Sequence, residues 1–404
     1  MGLVPLEEAR AFVLERVAAL DPAEVGLDEA LHAVTAAEVL SSEAVPPFAN
    51  SAMDGYALRA ADTAGAPVEL KVTGMIAAGT SPEGAVGPGE AMRIMTGAPM
   101  PDGADAVVLV ERTRTEGAVV TIEITVEPGT STRGVGEDVQ PGDVVVAPGT
   151  VLTPGHLGVL ASVGVDRVTV HRRPRVGVLS TGDELVTSGP LGRGQIRDSN
   201  RPTLVALVRE AGFDAVDLGV VADDEASVTA AIEGAVASCD AVLTSGGVSM
   251  GDLDYVKVVL DRIGDMRWMQ IAIKPAKPFA FGTVHSGGRH VPVFGLPGNP
   301  VSSMVSFELF ARPALRKMAG HADLHRLTVD AVAPDGLRRS ADGKVHLARV
   351  VATQEGAGWV VRSAGGQGSH QLSAMAAANA LAVIPDGDGV EPGGTVPTML
   401  LGWS

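Results

Sequence analysis

Apolar residues recur at helical spacing near the start of the chain. Leu6, Ala9, Val13, Val17 and Leu20 fall on one stripe, which predicts an amphipathic helix from Leu6 to Leu20. The pattern predicts a second helix over Asp28–Leu40. The run Val45-Pro46-Pro47 then breaks the helical pattern, because proline cannot continue a helix.

The next stretch has the pattern of a small β-rich domain. The apolar segments Val68–Val72, Ala106–Val110 and Val119–Val126 are separated by turns rich in glycine and proline. After the loop Gly134–Gly149, Thr153 as N-cap and the following proline predict the start of another helix.

From residue 174 onwards, short apolar runs alternate with helical patterns. Predicted strands are Arg175–Ser180, Ala215–Val221, Asp240–Thr244 and Val291–Phe294. Predicted helices are Asn200–Ala211, a helix capped by Asp223 or Asp224 that runs to about Ala237, Asp254–Ile263, and a helix after Pro300. This alternation predicts a mostly parallel sheet with helices on both faces. Ligands of such sheets bind at the carboxyl ends of the strands.

From about residue 325 the pattern is that of strands alone. Its predicted strands are Leu327–Val332, Lys344–Val351, Gly358–Arg362 and Ala380–Ile384. Several short strands in succession favour a small β-barrel or sandwich. At roughly 150 residues per domain, 404 residues suggest about two to four domains.

The charge balance excludes one large class of function. The chain has 31 Lys+Arg and 48 Asp+Glu, a net charge of −17, whereas a general nucleic-acid binder carries a basic surface. An anionic ligand therefore needs local cations, helix N-termini or a bound metal. The single cysteine, Cys239, excludes an internal disulfide framework and favours a buried structural thiol. The charged N-terminus and the lack of a long apolar run predict a cytoplasmic protein without a signal peptide or membrane span.

Acidic and hydroxyl residues stand in three loops of the first half. They are Asp54 in Asn50–Ala57, Thr96 in Met95–Asp105, and Glu137 with Asp138 in Arg133–Asp138. Such carboxylates suit a hard cation like magnesium. Each loop taken alone is explained as well by an ordinary turn or a solvated acidic loop.

Glycine-rich motifs follow the predicted parallel strands. They are Ser180–Glu184, Thr244–Tyr255 and Gly295–Ser303, and a similar motif, Gly365–Ser373, lies near the C-terminus. Backbone amides of a glycine loop beside a helix N-terminus form an anion site, and Asp252 or Asp254 could hold a cation beside it. A purely structural role of Gly246-Gly247 is the alternative.

Two lysines stand in a proline-rich segment, Ile273–Pro278. A polyproline-like path has about three residues per turn, so Lys274 and Lys277 would face the same way and clamp an oxyanion. The alternative is a pair of solvent-facing lysines. His321 and His325 have metal-pair spacing but lack the accompanying Glu of a zinc motif. Neither a phosphate-loop motif nor a nucleophile elbow is present, which favours metal-assisted phosphate chemistry over serine acyl transfer.

The order and wording of these motifs resemble the molybdopterin molybdenumtransferase family, which includes MoeA and the gephyrin E domain. Nine segments that span nearly the whole chain carry the resemblance: Pro47–Ala57, Thr96–Val108, Gly136–Val139, Val178–Leu185, Gln195–Asn200, Ser245–Tyr255, Ile273–Pro278, Gly295–Ser302 and Ser369–Met375.

The resemblance implies a specific activity. Family members insert molybdenum from molybdate into adenylylated molybdopterin and release AMP, with Mg²⁺ assisting hydrolysis of the adenylate. They are cytoplasmic homodimers of four domains, with the active cleft between subunits. The implied division is residues 1–44 with 140–173 as an elongated helical and β dimerisation domain, 45–139 as an inserted β-rich domain, 174–322 as a doubly wound α/β domain of the molybdopterin-binding type, and 323–404 as a C-terminal β-barrel. Contacts with other proteins of molybdenum cofactor biosynthesis are a further expectation.

Roles carry over to matching positions. The resemblance implies catalytic roles for Asp54, Thr96, Asp138, Glu184 and Asp254, and a Mg²⁺ site of Asp54, Asp138, Asp224 and Asp254, with Asp223 as the alternative to Asp224. Expected substrate contacts are Ser245, Gly246, Gly247, Ser249, Pro297, Gly298, Asn299, Lys274, Lys277, Ser302, Arg349 and Ser369.

One position departs from the family pattern. Ala276 stands where the family usually has glycine. If the position requires a positive φ, alanine strains it; if not, the change is harmless and slightly rigidifying.

Two other functions remain as alternatives. One is a scaffold that binds peptides, as in the gephyrin branch. The other is an enzyme for a different nucleotide-linked anion, such as a pyrophosphatase. The Asn50–Ala57 and Lys274–Pro278 motifs count against the second alternative.

Overall fold

The computed structural model describes residues 2–248 and 255–402. Its internal contacts divide the chain into two compact units. The larger unit comprises residues 1–23, 32–36 and 170–404, and the smaller comprises 24–31 and 37–169. The four-domain division is finer than these units and stays a prediction.

The smaller unit is built on an antiparallel-rich sheet, as the short apolar segments predict. Its order among the described residues is Ala106–Leu109, Gly55–Leu58, Glu90–Ile94, Val68–Ile76, Val119–Ile122 and Thr113–Glu116. Both faces are covered, because one apolar cluster gathers around Leu58 and another around Ile94. Shorter elements complete the unit: Val39–Leu40, Asn50–Ser51, Ala60–Thr63, Val110–Arg112, Thr132–Arg133, Val144–Val146 and the helix Pro154–Ser162. That helix begins directly after Thr153, as predicted.

Two helix predictions near the N-terminus need correction. The predicted helix Asp28–Leu40 is wrong: His32 has a φ of 63°, which breaks a helix, and Thr35 instead bridges Val170. Ala30, Ala33 and Val34 are nevertheless buried, in chain without helical structure. The first helix spans Leu6–Leu14 rather than extending to Leu20, since the backbone N–H of Leu20 bonds the Met318 carbonyl at 2.7 Å.

The larger unit contains the predicted doubly wound sheet. The order of its described strands is Asp214–Val221, Arg175–Thr181, Ala241–Ser245, Arg289–Leu296, Pro278–Ser286 and Gly264–Gln270. The first four are mutually parallel, and the last two add as antiparallel neighbours. The carboxyl ends of the parallel strands therefore meet at one edge of the sheet.

Helices cover both faces of this sheet. One face packs against the helices Leu6–Leu14, Asn200–Glu210 and Pro300–Ser306. The last of these continues through the π-helix Phe307–Ala311 into the helix Arg312–Met318. The other face packs against Glu225–Ser238 and Tyr255–Ile263. Cys239 is buried against the sheet, as predicted for a structural thiol.

The predicted C-terminal barrel is present. Among the described strands, Val345–Glu355, Gly358–Ser363, Thr328–Ala333, Gly394–Leu400 and Ala380–Ile384 pair in that order, and the last closes onto the first. The strand Ile273–Lys274 joins the barrel alongside Val345–Glu355. The larger unit also contains short elements: Leu185–Val186 with Ile196–Arg197, Leu337–Arg338 with Gly389–Val390, and the helix Leu372–Ala376. The strands Pro22–Gly26 and Arg167–His171 complete the described elements. No helix within residues 2–248 and 255–402 is long and apolar enough to cross a bilayer.

Candidate active site

Asp54 is held by the loop that carries Thr96. The Gly97 N–H bonds the Ser51 carbonyl at 2.8 Å, and the Ser51 N–H bonds the Ala98 carbonyl at 3.0 Å, so the two loops are joined through their backbones. One Asp54 carboxylate oxygen, Oδ1, accepts both the Thr96 N–H and the Thr96 hydroxyl at 2.7 Å each. Two predicted catalytic residues are therefore in direct contact.

The negative charge of Asp54 is stabilised although its side chain is only partly buried. The hydrogen bond from the Thr96 backbone N–H has the largest effect on the pKa of Asp54, which it lowers. The hydrogen bond from the Thr96 hydroxyl and the positive charge of Arg93 lower this pKa further. Oδ1 carries both bonds from Thr96. The carboxylate is thus a hydrogen-bond acceptor of fixed orientation whose ionised form is favoured.

Asp138 lies at the other end of the same pair of segments. Ser51 pairs with Thr132, whereas Val45 pairs with Val139. The Asp138 N–H bonds the Val45 carbonyl at 2.9 Å, and its carboxylate is exposed. Asp54 and Asp138 are therefore carried by paired segments of the smaller unit.

The predicted Mg²⁺ site stays a prediction. In the described part of the chain, no three His, Cys, Asp or Glu side chains gather closely enough to hold a metal ion. Of its four predicted ligands, Asp54 and Asp138 belong to the smaller unit and Asp224 to the larger. Asp254, like the predicted substrate contact Ser249 and the alternative cation ligand Asp252, lies outside the described residues.

A group of carboxylates follows two neighbouring parallel strands of the larger unit. Glu184 comes after Arg175–Thr181, and Asp223 after Asp214–Val221, where the Asp223 N–H bonds Asp183 Oδ1 at 3.2 Å. Burial raises the pKa of Asp223, and repulsion from Asp183, Glu184 and Asp224 raises it further. The sequence-predicted Glu184 thus lies in a region of concentrated negative charge.

The structure distinguishes the two candidate aspartates of this group. Asp224 caps the helix Glu225–Ser238, because its carboxylate accepts the Ser227 N–H at 2.9 Å. Hydrogen bonds from Ser227, led by its side chain, lower the pKa of Asp224. The backbone N–H of Asp223 instead donates to the Asp183 carboxylate. The choice of Asp224 as metal ligand stays a prediction, with Asp223 as the alternative.

Two glycine loops leave the central strands side by side. The Gly246 N–H bonds the Leu296 carbonyl at 3.1 Å, which joins the loop after Ala241–Ser245 to the strand that leads into Pro297-Gly298-Asn299. Gly246 and Gly247 have φ values of 93° and 73°, and a Cβ on Gly247 would lie 2.4 Å from Val256. Folding therefore requires these glycines, whatever ligand their amides bind.

Asn200 connects the same two loops, a role that the sequence does not reveal. Its side-chain amide nitrogen donates to Ser245 Oγ at 2.8 Å and to the Gly298 carbonyl at 2.7 Å. The asparagine begins the helix Asn200–Glu210, so the sequence gives it an ordinary helix-start interpretation. Asn200 has this second role because the fold places it beside the ends of two strands that are distant in sequence.

Arg349 is a buried cation without a carboxylate partner. It is the largest fully buried side chain among the described residues, at 0% exposure. Its Nη2 donates to the Gly366 carbonyl at 2.7 Å, whereas Nε and Nη1 have no hydrogen-bond partner in the described structure. Burial lowers the pKa of the guanidinium. An unpaired buried charge of this kind is costly to the fold, and an incoming anion would compensate it.

Hydrogen bonds link several other predicted substrate contacts to one another. Ser302 Oγ accepts the Ala276 N–H at 3.3 Å, which ties the helix Pro300–Ser306 to the residue between Lys274 and Lys277. The Val301 N–H bonds the Ser369 carbonyl at 3.1 Å. The Arg349 backbone is bonded to the Gln367 side chain at 2.9 and 3.0 Å, two residues before Ser369. These bonds link segments that are distant in sequence, since Lys274 and Ser369 are 95 positions apart.

Three protein-family models match successive parts of the chain. Residues 4–164 match the MoeA N-terminal region (domains I and II), residues 177–317 match a probable molybdopterin binding domain, and residues 332–401 match the MoeA C-terminal region (domain IV). A molybdopterin molybdenumtransferase of Haemophilus influenzae is 39% identical over 98% of both chains. The chain belongs to the molybdopterin molybdenumtransferase family.

Further members of the molybdopterin molybdenumtransferase family agree over nearly the whole length. Molybdopterin molybdenumtransferase 2 of Mycobacterium tuberculosis is 40% identical, over 94% of this chain and 95% of its own. The crystal structure of the molybdopterin biosynthesis MoeA protein from Pyrococcus horikoshii OT3 superposes with a TM-score of 0.80 at 32% identity, covering 99% of this chain and 100% of that one. The fold class that the motifs predict is thereby confirmed.

The position where the chain departs from the family pattern is strained. Ala276 has a φ of 76°, in the left-handed region that favours glycine. The polyproline path predicted for Ile273–Pro278 is therefore wrong, because Ile273–Lys274 pairs with a barrel strand and Ala276 has a positive φ, which a polyproline helix does not allow. Both lysines are nevertheless exposed.

Replacing Ala276 with glycine is expected to stabilise the protein. Removing the Cβ relieves about 1–2 kcal/mol of left-handed strain, and the greater freedom of glycine in the unfolded chain offsets part of it, leaving about 0.5–1 kcal/mol. Urea denaturation would measure the gain. Ala272→Gly, at a neighbouring position without positive φ, is the matched control and should lower the free energy of unfolding. Equal losses in both variants would contradict the strain.

Proposed function

We propose that this protein transfers molybdenum from molybdate to molybdopterin in molybdenum cofactor biosynthesis. In the full form of the proposal, the substrate is adenylylated molybdopterin, AMP is released with the help of Mg²⁺, and the enzyme works as a cytoplasmic homodimer. The names of its relatives in Haemophilus influenzae and Mycobacterium tuberculosis support the transferase activity. The residues below support the finer steps.

The buried guanidinium of Arg349 is the observation that carries the proposal. Molybdate is a tetrahedral dianion, and two unpartnered N–H groups on one buried cation offer it charge-assisted hydrogen bonds. Ser302 bonds the backbone of Ala276, which lies between the two exposed lysines. The helix that carries Ser302 also bonds the Ser369 carbonyl. These cations supply a local positive field in a chain whose net charge is −17.

The glycine loops suit the organic part of the substrate. Gly246, Gly247 and Gly298 lie at the carboxyl edge of a doubly wound sheet, where such folds bind ligands. The Gly246 N–H bonds the Leu296 carbonyl and so fixes the loop, whereas the backbone amides of Gly247 and Gly298 are donors for phosphoryl oxygens, and Asn200 holds the two loops together. We assign Ser245, Pro297 and Asn299 to the same binding function.

The donor chemistry of the acidic residues fits Mg²⁺. Asp54 is partly exposed and kept ionised by Thr96, and carboxylate oxygens are the ligands that this ion prefers. We assign Asp54, Asp138, Asp224 and Asp254 to hold it, and we assign a catalytic role to Glu184. When bound, Mg²⁺ would polarise the phosphoanhydride of an adenylate. Asp54 would orient a water molecule or a substrate oxygen, and Thr96 would keep Asp54 ionised and in place.

Replacing Lys274 and Lys277 together with alanine is expected to raise the molybdate requirement. Each lost charge-assisted hydrogen bond is worth about 1.5 kcal/mol, so the KM for molybdate should rise by at least about tenfold, with kcat recovered at saturation. Steady-state turnover at varied molybdate measures this.

Lys71→Ala is the matched control for the double variant, because that lysine is 69% exposed and lies in the smaller unit. It should leave the molybdate dependence unchanged. If the double variant has the same molybdate KM as the unsubstituted protein, the lysines do not bind molybdate.

A further inference from the structure

A second group of cations lies beside the site described above. A cleft of about 630 Å³ opens where the strand Ile273–Lys274 meets the barrel. Its charged and titratable lining residues are Lys274, Arg338, Arg339, Asp342 and His346. The inference drawn from this cleft rests on the proposed function, because Lys274 belongs to both.

The single acidic residue among those lining the cleft is already neutralised. Asp342 forms ion pairs with Arg339 at 2.9 Å and with Lys344 at 3.1 Å, and His346 Nε2 lies 3.1 Å from it. Hydrogen bonds from Lys344 and His346 help to lower the pKa of Asp342 to about 2, against the opposing effect of its desolvation. This carboxylate is therefore occupied by its partners and leaves the cleft with a positive excess.

Arg339 has a structural role. Its side chain is 2% exposed, and it also pairs with Asp386 and donates to the carbonyls of Lys344 and Pro385. These bonds fix the turn that follows the strand Leu337–Arg338. Arg339 has no donor to spare for a ligand, but it holds the neighbouring Arg338 in place.

Arg338 is the cation available to a ligand. It pairs with Gly389 through its backbone, between the buried Leu337 and the anchored Arg339. Its side chain is exposed and makes no hydrogen bond or ion pair with any described residue. The same holds for the Lys274 ammonium group. Two unpaired cations on rigid supports thus line one cleft.

The size and composition of the cleft favour an organic ligand over a bare oxyanion. Small-molecule sites commonly measure about 300–1,000 Å³, far more than a tetrahedral anion fills. Apolar side chains of Pro275, Leu337, Leu347 and Ile384 share the lining. We propose that this cleft binds a phosphoryl group of the organic substrate through Arg338, next to the oxyanion bound by Lys274.

The test is equilibrium binding to the full chain, without turnover. Molybdopterin, AMP, inorganic phosphate and molybdate are titrated separately into the unsubstituted protein and into Arg338→Ala. Loss of one charge-assisted hydrogen bond, about 1.4 kcal/mol, should raise the dissociation constant for molybdopterin about tenfold. Arg338→Lys should restore part of the affinity. Arg193→Ala is the control, because Arg193 is also exposed and unpaired with any described residue.

The arms of this experiment separate the sources of the oxyanion. Weaker binding of molybdopterin supports a site for the pterin phosphate, and weaker binding of AMP alone supports a site for the nucleotide phosphate. A loss confined to molybdate or inorganic phosphate overturns the organic assignment. Identical affinities in Arg338→Ala and Arg193→Ala overturn the proposal altogether. A protein that fails to transfer molybdenum would contradict the proposed function and leave these binding results unaffected.

Discussion

Replacing Arg349 with methionine is expected to abolish molybdate binding without lowering the free energy of unfolding. Methionine has a similar length, fills the buried space and removes a cation that has no carboxylate partner in the described structure. Replacing a buried charge by a packed apolar side chain is often neutral or stabilising, by about 1–4 kcal/mol where an effect is seen. Molybdate-dependent turnover should fall at least about 100-fold, because two buried charge-assisted hydrogen bonds are lost.

Arg339→Met is the matched control for this prediction. The Arg339 side chain is also enclosed, but it pairs with Asp342 and Asp386 and donates to the Lys344 and Pro385 carbonyls, so its removal should destabilise the barrel. Urea denaturation of both variants, with calorimetric titration of molybdate into Arg349→Met, separates the two roles. If Arg349→Met unfolds as readily as Arg339→Met and still binds molybdate, Arg349 is structural.

Replacing Asp54 with asparagine is expected to reduce AMP release about 1,000-fold in a folded protein. The amide oxygen of asparagine can still accept the Thr96 N–H, which preserves the loop, but the negative charge is lost. A single electrostatic group in a reaction centre contributes about 100- to 1,000-fold, and loss of a metal ligand adds to this. Single-turnover AMP release at varied Mg²⁺ measures the effect, with thermal unfolding to verify the fold.

Two further variants sharpen the Asp54 prediction. Thr96→Val removes the hydroxyl bond and keeps the backbone bond, so it should cost about tenfold. Asp102→Asn changes an exposed aspartate in the same loop and should leave AMP release unchanged. Near-normal turnover of folded Asp54→Asn would refute the catalytic role of Asp54.

The sequence pattern predicts this fold best where local signals coincide with burial. The apolar run Arg175–Ser180 and the cap at Thr153 fall within one residue of the observed elements. It fails at Asp28–Leu40, where buried apolar residues at helical spacing pack without a helix. It also omits the strands Pro278–Ser286 and Gly264–Gln270, which form through antiparallel pairing with their neighbours.

The candidate site depends even more on contacts distant in sequence. Motif order alone indicates Asp54 and Thr96, and their direct hydrogen bonds support that prediction. No sequence signal indicates that Arg349 lacks an ionic partner, that Asn200 joins two loops, or that Ala276 has a positive φ. Each of these properties arises from segments that meet only in the folded chain.

The most direct test of the proposed function is AMP release from adenylylated molybdopterin in Mg²⁺, measured with and without molybdate. Our account predicts AMP release that depends on molybdate and yields a molybdenum-loaded pterin. AMP release that ignores molybdate would indicate a pyrophosphatase-like enzyme, and no AMP release from the folded protein would favour a scaffold; either result would contradict the account.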